Sequence, residues 1–512
     1  MPLWHNRRQV SRPGTAAQHI TPYDRFGWSD VEVKRMLATG ERRQELAAYF
    51  GQTEYQELVR LERKAQRTGV NDAYPHVLVI PGILGSQLGL ARGRPLPNDV
   101  LWLDPIDIQV GRLALLGLDA GAPIVPLGVV LYSHLKLRLR LRAAGFGVTL
   151  HDYDWRLGIE ESGASLAGRL RAHGARRLAI VAHSMGGLVS RVALSLPGTE
   201  HVERVVLLGT PNLGSFAPVQ ALRGTYAVVR KVARLDAATN AERLTEEVFG
   251  SFPSLYQMLP VAADGRAADF LDGAAWPASG PALRRPLLDR ARRFRGGLAS
   301  PDARFVAIAG VGQETVTAAV KERDGLVYTI TRYGDGTVPA ESAALAGAET
   351  YFTDVAHSDL TRDAQVAAAI VELLHQGSTN RLPRRWISAS RAQARVSDRE
   401  LRRTHTDKVD WAHLTPSERR DFLQSLNEPL KLRLRVPNAG GRARAAKARQ
   451  EVGPDARRAR AGQQSSSGRS TPPLGFLLNC AGTSQKTKNA VHSQMTIAAG
   501  PRMAAALSRG SC

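Results

Sequence analysis

Residues 178–191 read LAIVAHSMGGLVSR. Four apolar residues run into Ala182-His183-Ser184-Met185-Gly186-Gly187, and an apolar pattern at helical spacing then resumes. A continuous Val/Ile/Leu run without polar alternation marks a strand buried on both faces. Ser184 sits where that strand must turn into a helix, with Ala two residues before it and Gly two residues after. So tight a turn needs small residues at both flanking positions, strains the serine backbone and pushes its hydroxyl outward. The amide of Met185, first in the helix, is left free to donate a hydrogen bond. The plain alternative is a serine that merely caps a helix, and the rest of the chain has to decide between the two.

Five more apolar runs share the character of the first: HVLVIPG, GVTLHDYDW, VERVVLLGTP, ARFVAIAG and AETYFTDVA, separated by helical patterns. Runs of this kind alternating with helices predict an α/β fold with a mostly parallel sheet covered by helices. An elbow serine is inert without a base and an orienting acid, which in such folds follow in the order acid, then histidine. Downstream, Tyr333-Gly334-Asp335-Gly336-Thr337-Val338-Pro339 places a carboxylate between two glycines, after a strand pair around GLVYTITRY. Further on, His357 in Ala356-His357-Ser358-Asp359-Leu360 follows the last predicted strand. Each alone reads as an ordinary turn or loop residue; their order and strand-end placement point to a Ser184–Asp335–His357 catalytic triad. A second oxyanion donor is expected from the loop Pro81-Gly82-Ile83-Leu84-Gly85-Ser86 after the first run, with the Ile83 amide as candidate beside that of Met185. The same loop lacks the GK[ST] ending of a phosphate-binding loop.

The 512 residues carry a formal net charge of +22. From Asn380 to Cys512, 26 Lys and Arg face 9 Asp and Glu, so most of the excess lies there and residues 1–379 are nearly balanced. The basic end has no zinc spacing, no RNP-like aromatic pattern and no helix-turn-helix signature, so no specific nucleic acid is expected; an anionic membrane surface is the partner its charge suits. Cys480 and Cys512, the two cysteines, cannot staple the core. Without a signal-like apolar segment at the N-terminus or a long apolar run elsewhere, a cytoplasmic location is expected. Four parts are predicted: an N-terminal helical extension, 1–74; a catalytic domain, 75–379; a basic helical segment, 380–436; and a low-complexity, disordered tail, 437–512.

The pieces VLVIPGILGSQL, HDYDWRL, AHSMGGLVSR, LLGTPNLGSF, FPSLYQMLP, YGDGTVP and AHSDL, spread in that order over about residues 75–377, resemble the lecithin:cholesterol acyltransferase-like lipases. The resemblance implies an α/β-hydrolase fold with a helical cap, here the insertion at about 213–302, and an acyl-enzyme formed from a lipid ester. It carries the nucleophile to Ser184, the acid to Asp335, the base to His357, and oxyanion donation to Ile83 and Met185. Trp155 and Arg156 of the YDWR stretch are candidate substrate contacts or, alternatively, braces of the core; His151 and His183 read as structural. No cofactor or metal is implied. The expected activity is that of a serine O-acyltransferase or lipase. A carboxylesterase for small esters and a non-catalytic binding module are the alternatives.

Overall fold

The computed structural model describes residues 28–93, 98–261, 269–294, 297–387, 392–426 and 428; the predicted disordered tail lies outside them. The six apolar runs are the six strands of the central sheet: β1 (His76–Ile80), β5 (Val148–Leu150), β6 (Leu178–His183), β7 (Val202–Leu208), β8 (Phe305–Gly310) and β11 (Glu349–Thr353). They lie in the order β11-β8-β7-β6-β1-β5, every neighbouring pair parallel. With helices on both faces, this is the α/β-hydrolase arrangement.

The strand order reverses beside β1: the next strand of the sheet, β5, lies on one side of it, and the chain then crosses to β6 on the other. Such a switch point leaves a crevice beyond the carboxyl ends of the two diverging strands. Ile80 of β1 is in register with Ala182 of β6, so the loop after β1 and the turn after β6 emerge side by side.

Two antiparallel sheets flank this core. One orders β3 (Asp99–Trp102), β2 (Ser86–Leu90) and β4 (Ile124–Val129) as β3-β2-β4. The other orders β12 (Ala394–Ser397), β10 (Gly325–Thr331) and β9 (Thr315–Glu322) as β12-β10-β9. The strand β12 corrects the all-helical reading of residues 380–436. Four residues give too short a pattern to read alone, and their extended form follows from the free edge of β10, with which Val396 and Arg395 register at Tyr328 and Thr329.

The described residues of the basic segment pack into the fold. Asp398, fully buried, accepts from Arg223 Nε at 2.9 Å, from the Tyr328 hydroxyl at 2.8 Å and from the Leu326 amide at 3.1 Å. Arg230 and Lys231 of the cap insertion donate to backbone carbonyls of residues 402–428.

At the other end, three helices, α1 (Asp30–Thr39), α2 (Arg43–Phe50) and α3 (Gln52–Thr68), close over a fourth, α4 (Leu131–Ala143). Ser29 caps α1 in a reciprocal box with Glu32, and Gly40, at φ 80°, ends it. Leu135 and Leu139 of α4 pack on Val33, Leu46 and Leu58 of these helices, whereas Leu137 and Leu141 pack on Val77 and Val79 of β1. Among the described residues no helix is long and apolar enough to cross a membrane.

Candidate active site

Ser184 follows β6 and precedes the helix Met185–Leu194, with φ 54° and ψ −127°. A non-glycine residue rarely holds such angles, and it does so only where its surroundings over-determine them. They do here. The Ser184 amide donates to Leu208 O at 2.8 Å, and its carbonyl accepts from Gly187 N at 3.0 Å. A Cβ on Gly186 would lie 2.4 Å from Pro81 O, and one on Gly187 2.0 Å from Thr210 Oγ1. The helix is buried along its whole length and cannot back away. Gly186 therefore lets the turn fit under the loop after β1, and Gly187 lets it fit against Thr210 after β7.

Asp335 and His357 reach the same point from the loops after β10 and β11. The His357 ring joins both groups, with Nδ1 2.7 Å from Asp335 Oδ2 and Nε2 3.0 Å from Ser184 Oγ. With Nδ1–H donating to the carboxylate, Nε2 is placed to accept from the Ser184 hydroxyl. Asp335 is fully buried, and its other oxygen, Oδ1, accepts from the amides of Thr337 at 2.9 Å and Val338 at 2.7 Å. That explains the GDGTVP stretch: the loop folds back on the carboxylate, with Gly336 at φ 99° donating to Thr315 Oγ1 at 2.8 Å. His357 in turn donates its amide to Asp335 O at 2.9 Å, so both backbone and side chain fix the pair.

Ile83 lines the cavity that Ser184 lines, and Met185 follows Ser184 directly. Met185 opens its helix, and its amide has no intrahelical acceptor. Ile83 precedes Leu84, whose left-handed φ of 64° folds the loop over Ser184. A Cβ on Gly82 would come within 2.8 Å of Ser184 Cβ, so the bare backbone sets how closely the loop approaches.

Trp155 and Arg156 are not in the site, which corrects their reading as substrate contacts. Trp155 is fully buried, and its indole donates to Ser86 O at 2.9 Å. The neighbouring Tyr153 donates its hydroxyl to Pro81 O at 2.8 Å, so this stretch pins both ends of the loop that carries Ile83. Arg156 pairs with Asp154 at 2.7 Å and donates to Leu116 O at 2.9 Å, committing its guanidinium to the core. His183 contacts His357 O through Nε2 at 3.0 Å; burial, reinforced by the neighbouring His357 and His134, holds its pKa well below the usual histidine value. His151 is likewise buried, and burial lowers its pKa to about 4.

Two residues that sequence reasoning missed shape the site by lacking a side chain. A Cβ on Gly209, at φ 55°, would meet Asp335 Oδ2 at 2.9 Å and His357 Nδ1 at 3.1 Å. One on Gly310 would meet Asp335 Cβ at 2.5 Å. Both end sheet strands or follow them directly, and that position was the only available signal.

Ser184 and His357 line a cavity that is partly open to solvent. Its far wall is apolar and comes from the cap insertion, including Pro218, Val228, Val229, Phe249, Leu255 and Met258.

Residues 168–271 match the family model of the PGAP1-like alpha/beta domain. That stretch runs through β6, the Ser184 turn, β7 and most of the cap insertion. It is a different model from the lecithin:cholesterol acyltransferase-like family that the motifs resemble, and it covers about a fifth of the chain. Among curated proteins none matches. Solved structures similar to the chain include the mature lipase BlEst2 of Bacillus licheniformis, at 15% identity and TM-score 0.33, covering 60% of this chain and 94% of the lipase. The Tle4–Tli4 complex aligns at 15% identity and TM-score 0.39, covering 60% of this chain and 99% of that one. A hydrolase from Pseudomonas aeruginosa aligns at 17% and 0.25, covering 60% and 92%. Likeness at these scores says nothing about substrate.

Proposed function

We propose that the chain is a serine-dependent lipase or O-acyltransferase that forms an acyl-serine on Ser184 from a lipid ester. The observation that carries this is the chain of contacts from Ser184 Oγ through His357 to Asp335, held at the mouth of an apolar cavity. His357 Nε2 takes the hydroxyl proton as Oγ attacks the ester carbonyl carbon. Asp335 keeps the imidazole in the required tautomer and stabilises the imidazolium. The amides of Ile83 and Met185 receive the oxyanion. Collapse of the tetrahedral intermediate breaks the ester C–O bond, and the leaving alkoxide takes the proton from His357. Water or an alcohol then attacks the acyl-serine by the same route in reverse, giving free acid or a new ester.

The apolar cap wall supports a lipid acyl group over a small polar ester. The resemblance of the motifs to the lecithin:cholesterol acyltransferase-like family supports transfer to an alcohol beside hydrolysis. The test is a paired assay of wild type and Ser184→Ala on phosphatidylcholine vesicles containing a fatty alcohol, with products resolved as free acid and new ester. Both products are expected from wild type and neither from the variant. Equal product from the two proteins would remove Ser184 from the mechanism, and free acid alone would restrict the activity to hydrolysis.

A further inference from the structure

Beside the cavity that holds Ser184 lies a second apolar cleft, partly open to solvent. The catalytic core alone does not build it. Val33 of α1, Phe50 of α2, Trp102 of β3 and Leu131 of α4 line it, and Leu423 and Leu426 of the C-terminal segment complete the wall. Leu423 belongs to the helix Pro416–Ser425, and Leu426 follows it directly. Arg420 is the single charged side chain among the described lining residues. Such a mostly apolar lining suits an aliphatic chain.

The two spaces are neighbours in the strict sense. Leu84 and Ser133 line both. Leu84 follows the proposed oxyanion donor Ile83, and its carbonyl accepts from the Trp102 indole at 2.9 Å. Trp102 is itself a wall of the second cleft, so one hydrogen bond ties that cleft to the loop over Ser184. The Ser133 carbonyl accepts from Thr361 Oγ1 at 2.7 Å, four residues past His357. A chain that starts at Ser184 and crosses at Leu84 and Ser133 would enter an apolar compartment walled by the N-terminal helices and the helix Pro416–Ser425.

We propose that this second cleft holds the distal part of a single long acyl chain whose ester carbonyl lies at Ser184, so that the N-terminal helices and the C-terminal helix together set chain-length preference. The inference deepens the reading of Ser184 as nucleophile and rests on it. No new bond chemistry is involved; the cleft acts through binding alone, and each methylene moved out of water adds to affinity for the longer ester.

Filling the cleft tests it. Leu423→Trp and Gln424→Trp place bulk in the wall far from the reacting atoms, and Gln424, half-exposed, tolerates change more readily than a core position. Wild type and both variants are assayed on p-nitrophenyl esters from butyrate to palmitate in mixed micelles, and on a diacyl phosphatidylcholine. The expected result is a fall in kcat/KM for palmitate of roughly tenfold or more, carried by KM, with butyrate within about twofold of wild type. A loss shared equally by all chain lengths, or no loss at any length, overturns the proposal. So does a loss confined to the two-chain lipid, which would assign the cleft to a second acyl chain. Failure of the underlying reading looks different: wild type and Ser184→Ala would then turn over butyrate equally, or wild type would not turn it over at all.

Discussion

The turn at Ser184 and the helix α4 border the same crevice, yet they are built on opposite principles. At Ser184 the constraint is local. A positive φ on a serine, backed by glycines at 186 and 187 whose added Cβ atoms would strike Pro81 O and Thr210 Oγ1, can be met by very few sequences. In α4 the constraint is distant. Its sequence, LYSHLKLRLRLRA, alternates like a strand. It is nonetheless a helix with leucines on two sides, because the sheet covers one side and the N-terminal helices cover the other. Its cations are equally committed: Lys136 lies 3.0 Å from Glu54 and 3.1 Å from Glu57, Arg140 lies 2.7 Å from Glu57, and Arg138 pairs with Asp30. Tight backbone geometry leaves a mark in the residues that form it. Burial by remote partners leaves almost none.

If this contrast holds, changes at the turn and its partners cost catalysis, and changes in α4 cost stability. The largest effect is expected from Asp335→Asn, which keeps the shape but favours the wrong imidazole tautomer. Turnover of a p-nitrophenyl ester should fall by about 10⁴-fold while the melting temperature barely moves. Leu135→Ala should do the reverse, with a loss of about 2–5 kcal/mol in denaturant unfolding and an unchanged kcat for the folded fraction. Gly209→Ala sharpens the comparison, since it introduces only one methyl group. At φ 55° and 2.9 Å from Asp335 Oδ2, that methyl should displace the acid and lower kcat by about 10²-fold.

The smallest effect concerns Glu57. Burial pushes its carboxyl up, but the hydrogen bond and charge of Lys136, with those of Arg140, more than offset this and leave its pKa below the usual 4.5. A carboxylate lowered in the folded state stabilises fully above its unfolded pKa and loses that contribution as pH falls through the folded one. Thermal melts of wild type and Glu57→Gln should therefore differ at neutral pH and converge as the pH drops below about 4. A constant difference down to pH 3 would mean that the Glu57 contacts act through packing alone.

The contrast also explains what could be read from the sequence. The six central strands were legible because each is buried on both faces and so reads as a continuous apolar run. Ser184, Asp335 and His357 were legible because each ends or follows a strand in a motif whose glycines or small residues answer to a close approach. Trp155 and Arg156 were half legible: the YDWR stretch stood out, but its task is to hold Pro81 and Ser86, and nothing in residue type separates bracing from binding. The strand β12 and the second cleft were hidden, since each depends on segments distant in the chain meeting in space.

The central claim is that Ser184 is the nucleophile and His357 its base. Its most direct test is labelling of the full-length protein with a fluorophosphonate, followed by peptide mass spectrometry. The account predicts one phosphonyl adduct, on the peptide containing Ser184, formed by wild type, abolished in Ser184→Ala and strongly slowed in His357→Ala. Labelling at another residue, or at the same rate in all three proteins, would contradict it.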